Sequence, residues 1–146
     1  MECVNADWSE VKGTRTKAMN WDFFTESELK CRYSGKCEMN EEFMRKLVQL
    51  RVKYNKPMVI SSGYRDKNTH PVERAKNRPG AHSMGRAVDV RVYGGNAARL
   101  VKLALRNGMT GIGVKQNGDV GVRFIHLDDI KRGELEGFSR PWIWSY

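Results

Sequence analysis

Three residues of types suited to holding a metal ion stand in short apolar stretches of this chain: His82, Asp89 and His126. His82 follows Pro79-Gly80-Ala81, a turn that leads into the run Ala87-Val88-Asp89-Val90. A carboxylate in such a buried run is costly to desolvate unless it is paired, protonated or bound to metal. His126 lies in Phe124-Ile125-His126-Leu127-Asp128, again among apolar neighbours. Two imidazoles and a carboxylate are a donor set that zinc takes in catalytic sites, with water in the fourth position. Zinc brings the pKa of that water toward about 7, so a nucleophile is available at neutral pH. Each residue also has a plain structural reading: a core histidine, or an aspartate that caps or pairs with arginine.

These residues need elements to position them. Thr25 followed by Glu28 is a capping-box pattern and predicts a short helix over 25–31. Asn40 can cap a longer helix over 41–54, where Phe43, Met44, Leu47, Leu50 and Tyr54 recur at helical spacing. Met58-Val59-Ile60 reads as a short buried strand, and 63–81 as a loop punctuated by Gly63, Pro71, Pro79 and Gly80. The alternation of 87–92 predicts a strand that Gly94-Gly95 breaks, and 97–107 predicts a helix ending at Gly108. Strands are expected over 112–115 and 120–127, with Asn117-Gly118 as a hairpin turn between them. Helices first, then strands with one helix inserted, predict an α+β domain with a small, mainly antiparallel sheet. Residues 1–20 are weakly patterned and read as an arm on a single domain over 21–146.

The chain has 146 residues, enough for one core. No stretch approaches the roughly 20 apolar residues of a membrane-spanning helix. Its start shows no secretory pattern, so synthesis in a cytoplasm is expected. Lys and Arg number 26 against 17 acidic residues, a net charge of +9 spread along the chain. Such a surface attracts polyanions, but a nucleic-acid role has only this charge behind it, without a recognised motif. Of the three cysteines, Cys3, Cys31 and Cys37, the last two can pair or stay free, and free thiols fit a reducing cytoplasm.

The order of the motifs adds a resemblance. Ser61-Ser62-Gly63-Tyr64-Arg65, then His82 with Asp89 seven residues on, then Phe124-Ile125-His126-Leu127-Asp128, resembles the zinc D-Ala-D-Ala carboxypeptidase family. These peptidoglycan-cutting metallopeptidases share the fold of the hedgehog signalling domain, and the chain looks most like their short phage and bacterial branch. The resemblance implies one Zn2+ held by His82, Asp89 and His126. It implies that Arg65 contacts the substrate and its developing oxyanion, for which a fixed cation is well suited. Many members carry an acid three positions before the second histidine ligand, but here that position is Arg123. Asp128, two residues from His126 and on the same strand face, is the expected general base, with Asp119 second. His70 and Tyr64 are candidates for the substrate path, with a surface histidine and a packing tyrosine as the plain alternatives. Gly85 is expected to let backbone pass close to the metal loop, and the aromatic end at Trp142, Trp144 and Tyr146 to pack as a tail or to offer a sugar-stacking platform.

The implied activity is hydrolysis of a peptidoglycan stem peptide, as a D,D-carboxypeptidase or an L-Ala-D-Glu-type endopeptidase. A monomer acting on an anionic wall after phage lysis, or carried on a virion, is expected. The competing expectation is a zinc-stabilised binding module of the same fold.

Overall fold

Capping decides where the first two helices begin. The computed structural model describes residues 21–146; the arm expected over 1–20 lies outside them. In helix α1, Glu26–Leu29, the Thr25 hydroxyl accepts from the Glu28 N–H, and the Glu28 carboxylate accepts from the Thr25 N–H. Helix α2, Glu41–Tyr54, starts where Asn40 Oδ1 accepts from the Phe43 N–H at 2.9 Å. Its buried residues are the five that the spacing picks out: Phe43, Met44, Leu47, Leu50 and Tyr54.

Five strands form one sheet: β1 (Val59–Ser62), β2 (Ala87–Arg91), β3 (Gly111–Lys115), β4 (Phe124–Asp128) and β5 (Trp142–Ser145), in the order β1-β2-β4-β3-β5. The first three pairings are antiparallel, and β5 runs parallel to β3. The α+β architecture is as expected, and the aromatic tail makes the sheet mixed by adding an edge strand. A short helix α3, Pro71–Arg74, interrupts the predicted loop. Helix α4, Gly94–Arg106, begins earlier than expected, because Gly94-Gly95 open it rather than merely ending a strand. Gln116 Oε1 accepts from the Gly94 N–H at 3.2 Å, a long-range cap that local pattern does not reveal. The link between β3 and β4 is wider than the expected hairpin. A 3-10 turn, Val120–Val122, takes up residues read as strand. Arg123 Nε donates to Gly118 O at 2.9 Å and steadies this wider turn.

Side chains alternate across a strand, and this separates core from site. Val88, Val90, Ile112, Ile125 and Leu127 join Leu47, Leu50 and Leu100 in the main core on the helical side of the sheet. Asp89, His126 and Asp128 take the opposite face. The β2–β4 register sets Asp89 opposite His126 and Ala87 opposite Asp128.

Gly85 has φ +70°, and a Cβ there would run into the Glu38 carbonyl and lie 2.9 Å from Met39 Cα. Its carbonyl accepts from the Asn40 N–H at 2.9 Å. Its close approach is therefore to the segment that caps α2, not to the metal loop. Gly85→Ala combines left-handed backbone with overlap and is expected to cost at least about 2 kcal/mol; urea unfolding checks this.

Cys31 is a buried free thiol, whereas Cys37 is disulfide-bonded. The free-thiol expectation thus fails at Cys37, and the two do not pair with each other. No described helix is long and apolar enough to cross a membrane.

Candidate metal centre

The serine-glycine-tyrosine-arginine run acquires a physical reason residue by residue. Ser62 Oγ accepts from Arg65 Nε at 3.0 Å. Gly63 passes so close to helix α1 that a Cβ would stand 2.6 Å from the Leu29 carbonyl oxygen. Its own carbonyl accepts the Nδ1–H of His82 at 2.8 Å. The Tyr64 N–H donates to Leu29 O at 2.7 Å, and the Tyr64 hydroxyl donates to Glu38 at 3.2 Å. Arg65 Nη2 donates to Asp89 Oδ2 at 3.2 Å.

A carbonyl can only accept, so His82 carries its proton on Nδ1 and turns the Nε2 lone pair toward Asp89 Oδ1, 3.3 Å away. His126 turns the other nitrogen inward. Its Nδ1 lies 3.1 Å from Asp89 Oδ1, and its Nε2–H donates to Asp128 Oδ2 at 2.7 Å. The three inward atoms lie within 4.8 Å of one another, and all three residues are buried. Two imidazole nitrogens and a carboxylate oxygen thus converge on one point, with tautomers fixed from behind. That donor chemistry fits a zinc ion, which His82, Asp89 and His126 would hold.

The electrostatics favour the ligating form at His82 and Asp89. Burial lowers the pKa of His82 and favours the neutral, ligating imidazole. Burial works against ionised Asp89, yet the neighbouring His82 and His126 outweigh it and hold the carboxyl well below the usual range. Burial also opposes charge on His126, but hydrogen bonds with Asp128 and Asp89 raise its pKa.

Asp128 does lie on the His126 side, as the two-residue spacing predicts. Its carboxylate is nonetheless fully buried and occupied. Arg140 Nε and Nη2 bind its two oxygens at 2.9 and 2.7 Å, His126 takes Oδ2, and the Ile130 N–H reaches Oδ1 at 3.3 Å. Burial resists its ionisation, but the His126 and Arg140 hydrogen bonds prevail and bring its pKa down to about 2. An acid so engaged supports the back of the His126 imidazole, while it also lines the cleft over the donors. Asp119 is exposed in the β3–β4 link and does not line the cleft. Arg123 is turned to the Gly118 carbonyl.

A cleft of about 350 Å³ opens over the donors, lined also by Arg65, Lys76, Phe138, Arg140, Trp144 and Tyr146. His70 and Tyr64 do not line it. They border a second depression of about 180 Å³ that shares only Arg65 with it. His70 caps α3, its Nδ1 accepting from the Val72 N–H at 3.2 Å.

The family profile described as Peptidase M15 matches residues 22–128, most of the chain. The chain belongs to the peptidase M15 family. Neither the comparison with curated proteins nor that with solved structures gives a match. At the level of the M15 family the chemistry is zinc-dependent peptide hydrolysis, and peptidoglycan is the family's substrate class. In this M15 domain the wall made by Phe138, Arg140, Trp144 and Tyr146 follows the matched segment in sequence.

Sequence reasoning missed Arg140, which holds Asp128 from twelve residues away. It also missed Gly111 and Gly113, opposite Asp128 and His126 on β3. A Cβ at Gly111 would overlap the Asp128 carboxylate, and one at Gly113 would stand 2.8 Å from the Trp144 ring. Glycines two apart inside a strand signal close approach on one face, and that signal stands in Gly111-Ile112-Gly113.

Proposed function

We propose that this protein hydrolyses a peptide bond of peptidoglycan stem peptides, as a D,D-carboxypeptidase or an L-Ala-D-Glu-type endopeptidase. The observation that carries this is the convergence of His82 Nε2, Asp89 Oδ1 and His126 Nδ1 beneath an open cleft, with Arg65 held at its edge. When bound there, zinc supplies Lewis-acid polarisation and a lowered pKa for water. Arg65 is anchored through Nε on Ser62 and sits beside Asp89, so its guanidinium can meet the negative charge that develops on the substrate carbonyl. Asp128 keeps the proton of His126 on Nε2 and so keeps Nδ1 available to the metal. Trp144 and Phe138 give the cleft an apolar wall along which a peptide can lie. The net charge of +9 suits an anionic wall. Delivery as an endolysin or on a virion is part of this reading. Purified peptidoglycan incubated with the zinc-loaded protein is expected to release new amino groups and defined peptides, read by mass spectrometry. Release of neither would sink the reading.

One observation favours a second reading. Among the described residues no unengaged carboxylate lines the cleft, because Asp89 faces the histidines and Asp128 is locked by Arg140. A zinc-stabilised binding module needs no base. The peptidoglycan assay above separates the module from the enzyme, and Asp128→Asn decides the role of this acid. As a positioning residue, Asp128 should leave zinc binding about 10–100-fold weaker when replaced, with turnover largely recovered at saturating zinc. Unchanged zinc affinity with collapsed turnover would return Asp128 to the role of general base.

A further inference from the structure

Glu73 on helix α3 is fully buried, yet it belongs to neither the metal donors nor the core. Its Oε2 lies 3.6 Å from Arg65 Nη1 and 3.2 Å from Lys76 Nζ. Its Oε1 has no hydrogen-bond partner among the described residues. A buried, half-satisfied carboxylate is a poor contributor to stability, so its position calls for another explanation. The explanation offered by geometry is that it holds two cations side by side. Both side chains reach solvent, Arg65 at 18% and Lys76 at 45% exposure, and both line the metal cleft. Gly80, two residues before His82, closes this corner: a Cβ there would stand 3.2 Å from Glu73 Oε1 and 3.3 Å from Lys76 Nζ.

One carboxylate between two cations leaves a positive surplus at that wall. Asp89 and Asp128, the carboxylates lining the cleft, are already engaged. Arg65 is held by Ser62 and Asp89 and, in the peptidase reading, serves the developing oxyanion. Lys76 Nζ has only Glu73 as a partner among the described residues, which leaves donors for an incoming anion. We propose that Arg65, Glu73 and Lys76 form a carboxylate-reading subsite, in which Lys76 binds a free carboxylate of the substrate close to the scissile bond and Glu73 positions the two cations. This deepens the peptidase reading above and rests on it.

The test uses zinc-loaded protein and matched peptides. One pair ends in D-Ala-D-Ala, as free acid and C-terminal amide. The other carries L-Ala-D-Glu, as free α-carboxylate and as isoglutamine. In Lys76→Met the ratio of kcat/KM for acid over amide is expected to fall about ten- to a hundredfold in one pair, mainly through KM, and Lys76→Arg to restore part of it. The pair that responds names the carboxylate. Glu73→Gln should lower the same ratio, and by less when Lys76 is already methionine. An unchanged ratio in Lys76→Met overturns the subsite. An effect of Glu73→Gln independent of residue 76 removes its positioning role. If the wild type cuts neither peptides nor peptidoglycan, the peptidase reading is what fails. Calorimetric binding of the same pairs then decides the subsite: a preference for acid that Lys76→Met abolishes supports it, and equal binding or none overturns it.

Discussion

His126→Ala is expected to lower kcat/KM on peptidoglycan peptides by at least about a thousandfold, because the metal ion and the activated water it supplies are lost together. Three protein ligands are the usual minimum for a catalytic zinc, and here each comes from a different place. His82 lies within the turn over 81–85, Asp89 in β2 and His126 in β4. Removing His126 also strips Asp128 of one partner and exposes Asp89 to a vacated pocket. Chelation of the wild type should reproduce the loss, and returned zinc should reverse it. The measurements are zinc content of the dialysed protein and peptide release. Full hydrolysis by metal-free protein would exclude this assignment of the site.

Arg140→Ala should be the most destabilising single change outside the apolar core. Arg140 makes a two-pronged contact with Asp128, and both residues are buried. Removing one member of a buried pair leaves an uncompensated charge and costs about 3–5 kcal/mol. The same change should weaken zinc binding, since Asp128 then turns or takes up a proton and no longer fixes the ring of His126. Arg140→Lys should recover little, because an ammonium lacks the planar fork that meets two oxygens. Urea denaturation of the zinc-free protein isolates the stability term, and a loss under about 1 kcal/mol would show that the pair is replaceable.

Much of the site was legible in the sequence, because its parts fall on strong local signals. Alternation in Ala87-Val88-Asp89-Val90 and in Phe124-Ile125-His126-Leu127 fixes which residues share a face. Capping at Thr25 and Asn40 and the apolar period of 41–54 likewise identify helices α1 and α2. What escaped depends on partners distant in the chain. Helix α4 starts at Gly94, whose N–H is held by Gln116, a partner that no window around residue 94 contains. The aromatic end reads as a tail until β3 is there to pair with it. Asp128 looks available for proton transfer until Arg140 arrives beside it. His70 looks like a cleft residue from its place in the loop between Arg65 and His82, and Tyr64 from its place beside Arg65. The fold turns Tyr64 to Glu38, and it uses His70 to cap a helix that the loop conceals.

The cross-strand pairing of Asp89 with His126 has a consequence beyond catalysis. Sliding β4 along β2 by a single position would turn one of the two residues to the opposite face. A misaligned sheet therefore offers no place for the ion. Binding free energy is added only to the correct alignment, since a ligand stabilises the state that can hold it. Zinc thus proofreads the assembly of the strands, rewarding the one arrangement in which the chain can also do chemistry.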